Sequence, residues 1–257
     1  MCYETTARPP LPPIAGGAGT AARDLELTSA DGTRFGAFSA TTDAENAPGM
    51  VILPDVRGLH AFYKDLAVRF AEAGIHATTF DYFGRTAGIA TRTDDFEWMP
   101  HVGQAKPDQI AADVAATIGH VRSDEGGNAT KVFTVGFCFG GRNSFNQAAR
   151  GHGLAGVVGF YGAVAPRPPY PAETAPINLA PSYECPVLGL FGGADQGISA
   201  EDVGKFGQAL ESAGVEYDLH IYDGAPHSFF DRAQDQFKDE SDDAWRRILS
   251  FVAGHAH

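Results

Sequence analysis

Short apolar runs bounded by turn residues alternate with stretches of helical periodicity along most of this chain, and that alternation limits the folds open to it. Residues 24–29 and 33–40 flank Asp31-Gly32 and read as a β-hairpin. Strands are expected at 50–53, 75–80, 131–135, 154–161, 187–191 and 216–222. Helices are expected at 59–73, closed by Gly74, and at 107–122, 139–150, 200–213 and 239–253. Strands interleaved with helices at this spacing predict the α/β class, a mainly parallel sheet with helices on both faces, opened by an antiparallel hairpin. Residues 1–23 form a Pro/Gly/Ala/Thr-rich arm, and 24–257 read as one domain. Two segments lack strong periodicity, 81–106 and 165–181, and loops of that length commonly serve function.

Charge and composition remove several classes of function. The formal net charge is −13, which opposes the clustered Lys and Arg that nucleic-acid binding and anionic membrane surfaces demand. No apolar run approaches the roughly 20 residues that span a bilayer, and the arm lacks the basic and apolar regions of a signal peptide. A cytoplasmic location is expected, in which thiols stay reduced. Three cysteines, Cys2, Cys138 and Cys185, are too few for a disulfide framework, and the histidines show no metal-ligand spacing. No metal or cofactor is assigned.

The most informative stretch is Gly136-Phe137-Cys138-Phe139-Gly140-Gly141, between an expected strand and an expected helix. It has the G-x-nucleophile-x-G form with cysteine at the centre. A nucleophile at the tip of so tight a turn forces its neighbours two residues away to carry little or no side chain. The turn sets the thiol at a helix N-terminus, where the dipole favours thiolate. By itself the pattern also suits an ordinary buried cysteine in a Gly-rich turn. Its partners separate the two readings. Leu188-Gly189-Leu190-Phe191-Gly192-Gly193-Ala194-Asp195 is a strand ending in an aspartate, and Ile221 to His227 is a strand ending in a turn and a histidine. Nucleophile, acid and base thus follow in the order Cys138, Asp195, His227, each at a strand's C-terminal end.

These segments, together with Leu53-Pro54-Asp55-Val56-Arg57-Gly58 and Phe80-Asp81-Tyr82-Phe83-Gly84-Arg85, resemble the dienelactone hydrolase family of α/β-hydrolases, from about residue 24 to the C-terminus. The resemblance implies the α/β-hydrolase fold and hydrolysis of a small-molecule ester or lactone, carboxymethylenebutenolide being the type substrate. It implies that Cys138 attacks the carbonyl, His227 moves the proton and Asp195 orients the imidazole. It places the oxyanion donors at the amides of Phe139 and Val56. Asp55 stands where the family has a glutamate that helps deprotonate the thiol. An aspartate there also suits a turn cap, and both roles stay open. Arg85 matches an arginine that grips a substrate carboxylate, which implies an anionic substrate. Asp231 occupies the place of the second family arginine, with Arg232 one residue on, so the second arm of a clamp is unassigned. Arg57 is an alternative contributor. Tyr82, Trp98 and Phe229 are expected at a pocket wall. Two other functions remain, a broader carboxylesterase or thioesterase and a thiol redox sensor.

Overall fold

The computed structural model describes residues 19–168 and 170–257, and the chain divides into two compact units, Met1–Val132 and Phe133–His257. Most of the expected N-terminal arm, with Cys2, lies outside the described residues. The arm is shorter than the sequence suggests: β1 runs Thr20–Thr28, so residues 20–23 belong to a strand. The backbone of Gly19 is already tied to the Asp43 carboxylate at 2.9 Å.

In the first unit β1 pairs antiparallel with β2 (Arg34–Thr42) around the Asp31-Gly32 turn, from Thr20↔Thr42 to Thr28↔Arg34. β3 (Gly49–Leu53) leads through a turn into helix α1 (Ala61–Glu72), and β4 (His76–Phe80) follows. The strand order is β1-β2-β4-β3, with β3 and β4 parallel and β2 antiparallel to β4. Every residue of β3 and β4 is buried, as expected of strands covered on both faces. The apolar stripe of α1, Phe62, Leu66 and Phe70 at helical spacing with Tyr63 beside it, packs inward.

The 81–106 segment carries two single-turn helices, α2 (Gly84–Ala87) and α3 (Met99–Val102). It is fastened by a buried ion pair, Arg92 Nη2 to Asp81 Oδ2 at 2.6 Å, with the Arg92 guanidinium 4.5 Å from the centre of the Phe96 ring. The unit's long helix, α4 (Pro107–Val121), opens with proline in its first turn, where a missing N–H costs nothing.

The second unit holds β5 (Val132–Phe137, whose first residue belongs to the first unit), α5 (Phe139–Gln147), β6 (Gly156–Phe160), the short α6 (Pro176–Leu179), β7 (Val187–Gly192), α7 (Ala200–Ser212), β8 (Tyr217–Tyr222) and α8 (Lys238–His255). Strands β5 to β8 run parallel and adjacent in sequence order. β5, β6 and β7 are fully buried, and β8 is largely exposed. Phe137 stacks on Phe160 with centroids 4.8 Å apart, and α8 buries Ala244, Trp245, Ile248 and Val252. A parallel arrangement brings the C-terminal ends of all four strands to one edge, where loops converge.

Candidate active site

Cys138 is the residue between β5 and α5, and its backbone has φ 55° and ψ −111°. A non-glycine residue at positive φ outside a favoured well is strained, and the surroundings must hold it there. They do so by close approach. A Cβ on Gly136 would stand 2.0 Å from the carbonyl oxygen of Gly140, and one on Gly141 would stand 2.4 Å from that of Phe160. Below the turn, Thr134 on β5 and Ser144 on α5 join hydroxyls at 2.7 Å. The Cys138 amide donates to Phe160 on the neighbouring strand at 3.0 Å, and its carbonyl accepts the Arg142 amide at 3.1 Å. The thiol is therefore carried by a rigid turn, half-buried, at the head of a nine-residue helix.

Asp195 and His227 come from the loops after β7 and β8. Those loops are laced by backbone bonds, Gly193 N to Tyr222 O at 2.7 Å and Ala194 N to Ala225 O at 2.9 Å. The lacing needs a bare backbone at Gly192, where a Cβ would stand 2.4 Å from Ala225 O. Asp195 Oδ2 meets His227 Nδ1 at 2.6 Å, and Oδ1 accepts the Gly197 amide at 2.8 Å. The Asp195 side chain is 3% exposed and that of His227 38%, so the acid is sealed and the imidazole reaches solvent. Cys138 lies close enough to act on the His227 imidazole, favouring its protonated form.

The charges follow from this line of contacts. Burial works against the His227 imidazolium, but the hydrogen bond to Asp195 and the nearby Cys138 outweigh it and raise the pKa to about 10. Burial likewise opposes the Asp195 carboxylate, and the His227 bond overcomes it and lowers the pKa. An imidazole held between a carboxylate and a thiol can accept one proton, hold it and return it.

The structure brings Cys138, Asp195 and His227 together, with the Phe139 amide as the first of α5. It also adds neighbours that sequence reasoning passed over. The Tyr161 ring lies 4.9 Å from that of His227, at a backbone φ of 37° just past β6. Tyr170 faces Phe139 at 6.4 Å, and its phenol is held above its usual pKa, first by burial, with the charge of Cys138 acting in the same direction. Only the position of Tyr161 at a strand's C-terminal end could have signalled it. Phe229, expected at a pocket wall, is 0% exposed and packed against Phe160, Tyr161 and Tyr222, so it has no surface to offer a ligand. Asp231 is buried as well.

The first-unit residues named from the sequence take up other partners. Asp55 accepts the Arg57 amide at 2.8 Å, the turn-capping arrangement, and its carboxylate pairs with the Arg57 guanidinium at 2.9–3.0 Å. Both side chains are buried, so Arg57 is neither a solvated surface residue nor an open cation. The intervening Val56 is half-buried. Arg85 differs from its expected role as a carboxylate grip. Its Nη1 and Nη2 donate to Asp113 at 2.5 and 2.8 Å and its Nε to Asp31 at 3.0 Å. One cation between two carboxylates leaves a net negative cluster, which repels an anionic ligand. Tyr82 is buried with its hydroxyl on Pro54 O at 2.8 Å, and it lines a narrow groove with Arg85, His101, Gln104 and Asp113. Trp98 is half-buried, and its carbonyl accepts the amides of His101 and Val102 at the end of α3.

Among the described residues no group of three or more His, Cys, Asp or Glu side chains is placed to hold a metal ion, and no helix is long and apolar enough to cross a membrane. Burial raises the Cys185 thiol to about 12, so it stays protonated and unreactive.

The sequence model of the dienelactone hydrolase family matches residues 35–256. A protein of Methylorubrum extorquens named "Putative carboxymethylenebutenolidase" is 25% identical over 232 residues, covering 90% of this chain and 80% of its own length. A Yersinia pestis protein of the same name is 28% identical over 228 residues, covering 87% and 85%. Among solved structures, a dienelactone hydrolase-like promiscuous phosphotriesterase from metagenomic libraries superposes with TM-score 0.77 at 21% identity, covering 93% of this chain and 99% of that one. At that identity the superposition establishes the fold, an α/β-hydrolase, and nothing further.

Proposed function

We propose the following reaction for this chain, which belongs to the dienelactone hydrolase family and is a hydrolase of the ester and lactone type: Cys138 opens a carboxylic ester or lactone through a thioester intermediate. The observation that carries the reading is the line from Cys138 through His227 to Asp195. With His227 holding the proton, the Cys138 sulfur attacks the substrate carbonyl carbon. The oxyanion that forms is stabilised by the Phe139 amide at the α5 N-terminus, with the Val56 amide assigned as second donor from the family resemblance alone. Collapse of the intermediate expels the alkoxide, which takes the His227 proton. Water, deprotonated by the now neutral His227, attacks the thioester, releasing the carboxylic acid and returning the proton to the Cys138–His227 pair. Asp195 stabilises the imidazolium at each step.

Asp55 is assigned to the turn that presents the Val56 amide, because its carboxylate caps that turn through the Arg57 amide and guanidinium. The substrate is a small molecule of the dienelactone class, the class named in the relatives, and the setting is cytoplasmic, where the thiol stays reduced. A broader carboxylesterase is the second reading, favoured by the engagement of Arg85 and Arg57 with carboxylates.

The test follows hydrolysis of a chromogenic short-chain ester and of a dienelactone by wild type, Cys138→Ala and Cys138→Ser, with alkylation of each thiol read by mass spectrometry. Loss of about 10⁴-fold or more in kcat for Cys138→Ala is expected, with Cys138 alkylated far ahead of Cys185. A wild type that turns over neither ester, with Cys138 no faster than an ordinary thiol, refutes the hydrolase mechanism and favours a redox-sensing thiol. Turnover of the neutral ester alone favours the second reading.

A further inference from the structure

Strand β8 is bounded on one side only. Its register with β7 runs unbroken from Val187↔Tyr217 to Gly192↔Tyr222, and among the described residues no strand lies on its other side. The Val187 amide donates to Glu216 O at 2.9 Å and the Gly193 amide to Tyr222 O at 2.7 Å. Backbone direction alternates along a strand, so the even-numbered residues turn their N–H and C=O groups to β7. Tyr217, Leu219 and Ile221 turn theirs outward, where an added strand would find them. Natural edges are commonly blunted by Lys, Pro or a bulge, and Tyr217–Tyr222 has none of these.

The two faces of this edge differ in chemistry. Tyr217 and Leu219 lean on the bare backbone of α7, with Leu219 Cδ1 and Tyr217 Cε2 at 3.4 and 3.6 Å from the point where a Cβ would stand on Gly207. Ile221 shares their side by alternation, and Tyr217 and Ile221 are each 38% exposed. Asp218 and His220 share the other side, against α8. There Arg247 Nη1 donates to Asp218 Oδ2 at 3.2 Å, and the Asp218 side chain is still 55% exposed. The His220 ring rests on that of Tyr222, with centroids 4.4 Å apart. Exposed apolar area beside open backbone groups is what an added strand covers.

We propose that β8 is an interface between two copies of this chain, paired antiparallel about a two-fold axis through Leu219. The occupant follows from the register. Only Tyr217, Leu219 and Ile221 turn backbone groups outward, so a symmetric pairing joins odd residues to odd residues, which centres the axis on a residue rather than between two. With the axis at Leu219, Tyr217 meets the partner's Ile221 as an aromatic and β-branched pair on one face. On the other face Asp218 meets the partner's His220, whose imidazole donates to the exposed carboxylate. An axis at Asp218 would set two carboxylates opposite each other, and one at His220 two imidazoles. The strand is thus complementary to itself in this register, independently of the Cys138 chemistry.

The experiment measures the mass of the full chain by sedimentation over a wide range of concentration. A mass that rises with concentration to twice 27.2 kDa is expected. Ile221→Lys sets an ammonium against the partner's Tyr217 twice in a symmetric interface, and should weaken association about 100-fold or more. The register is read by Leu219→Cys in a Cys138→Ser background. There the two introduced thiols sit on Cα atoms about 5.5 Å apart, within reach of a disulfide, so mild oxidation should link two chains. Tyr217→Cys in the same background should not link to itself, because its copy lies on the far side of the axis. Mass spectrometry identifies the linked peptides, and circular dichroism checks that each variant is folded. Where Ile221→Lys does not fold, the two cysteine variants decide. A single-chain mass at every concentration overturns the proposal and leaves this edge to a different partner. So does a dimer that Ile221→Lys leaves unchanged, or linkage through Tyr217→Cys equal to that through Leu219→Cys.

Discussion

The two units differ in what their buried arginines face, although the more exposed Arg246 and Arg247 of the second unit also pair with Asp243. In the first, Arg57 pairs with Asp55, Arg92 with Asp81 and Arg85 with Asp113, every one of those aspartates being at most 2% exposed. In the second, Arg142 is buried on backbone carbonyls and Arg167 stands in water beside Asp195. A buried carboxylate needs a counter-charge within hydrogen-bond distance, so the first-unit cations are committed to folding. An arginine on carbonyls keeps its charge. The positive field available to a ligand thus depends on what each guanidinium faces, not on how many there are.

The largest expected effect that could break this comparison is at Arg92. Replacing it by Ala leaves Asp81 buried beside no cation, and the loss should be about 3–5 kcal/mol, read from urea denaturation. Burial already raises the Asp81 pKa against the pull of Arg92. Part of the loss should therefore return at low pH, where Asp81 protonates. A change within experimental error would show that the pair holds nothing. Arg85→Gln should cost less, about 2–3 kcal/mol, because its Asp31 side is open to water. Its kcat/KM should change equally for neutral and carboxylated esters. A selective loss on the carboxylated ester would return Arg85 to the role of a substrate grip.

A further effect concerns pH. His227 is held at about 10 against an ordinary value of 6.5. A raised folded-state pKa contributes stability that is fully present below pH 6.5 and is lost as pH rises through about 10. The urea midpoint of wild type should fall across that window, and Asp195→Asn, which cannot stabilise the imidazolium, should flatten the fall. Parallel curves for the two proteins would mean that His227 does not carry the proton.

Much of the site could be read from the chain. Gly136, Gly140 and Gly141 around Cys138, and strands ending in Asp195 and His227, are local signals, because a tight turn and a strand end are made by neighbours in sequence. Helix α1 and strands β4 and β7 fall within a residue or two of expectation for the same reason. What local signals could not show was of another kind. Phe229 follows the histidine turn closely, yet it packs into the core against rings from β6 and β8. Arg85 sits 28 residues from Asp113, and no local pattern announces that pair. Arg142 and Tyr170 drew no attention, because their meaning depends on how the segment after β6 folds back on α5.

The sequence by itself determined the α/β class, the tight turn at Cys138 and the placing of Asp195 and His227 at strand ends, since periodicity and glycine placement act over a few residues. Only the tertiary structure decided which charges are cancelled. That depends on which carboxylates and carbonyls are brought within about 3 Å of each guanidinium, where burial makes pairing obligatory.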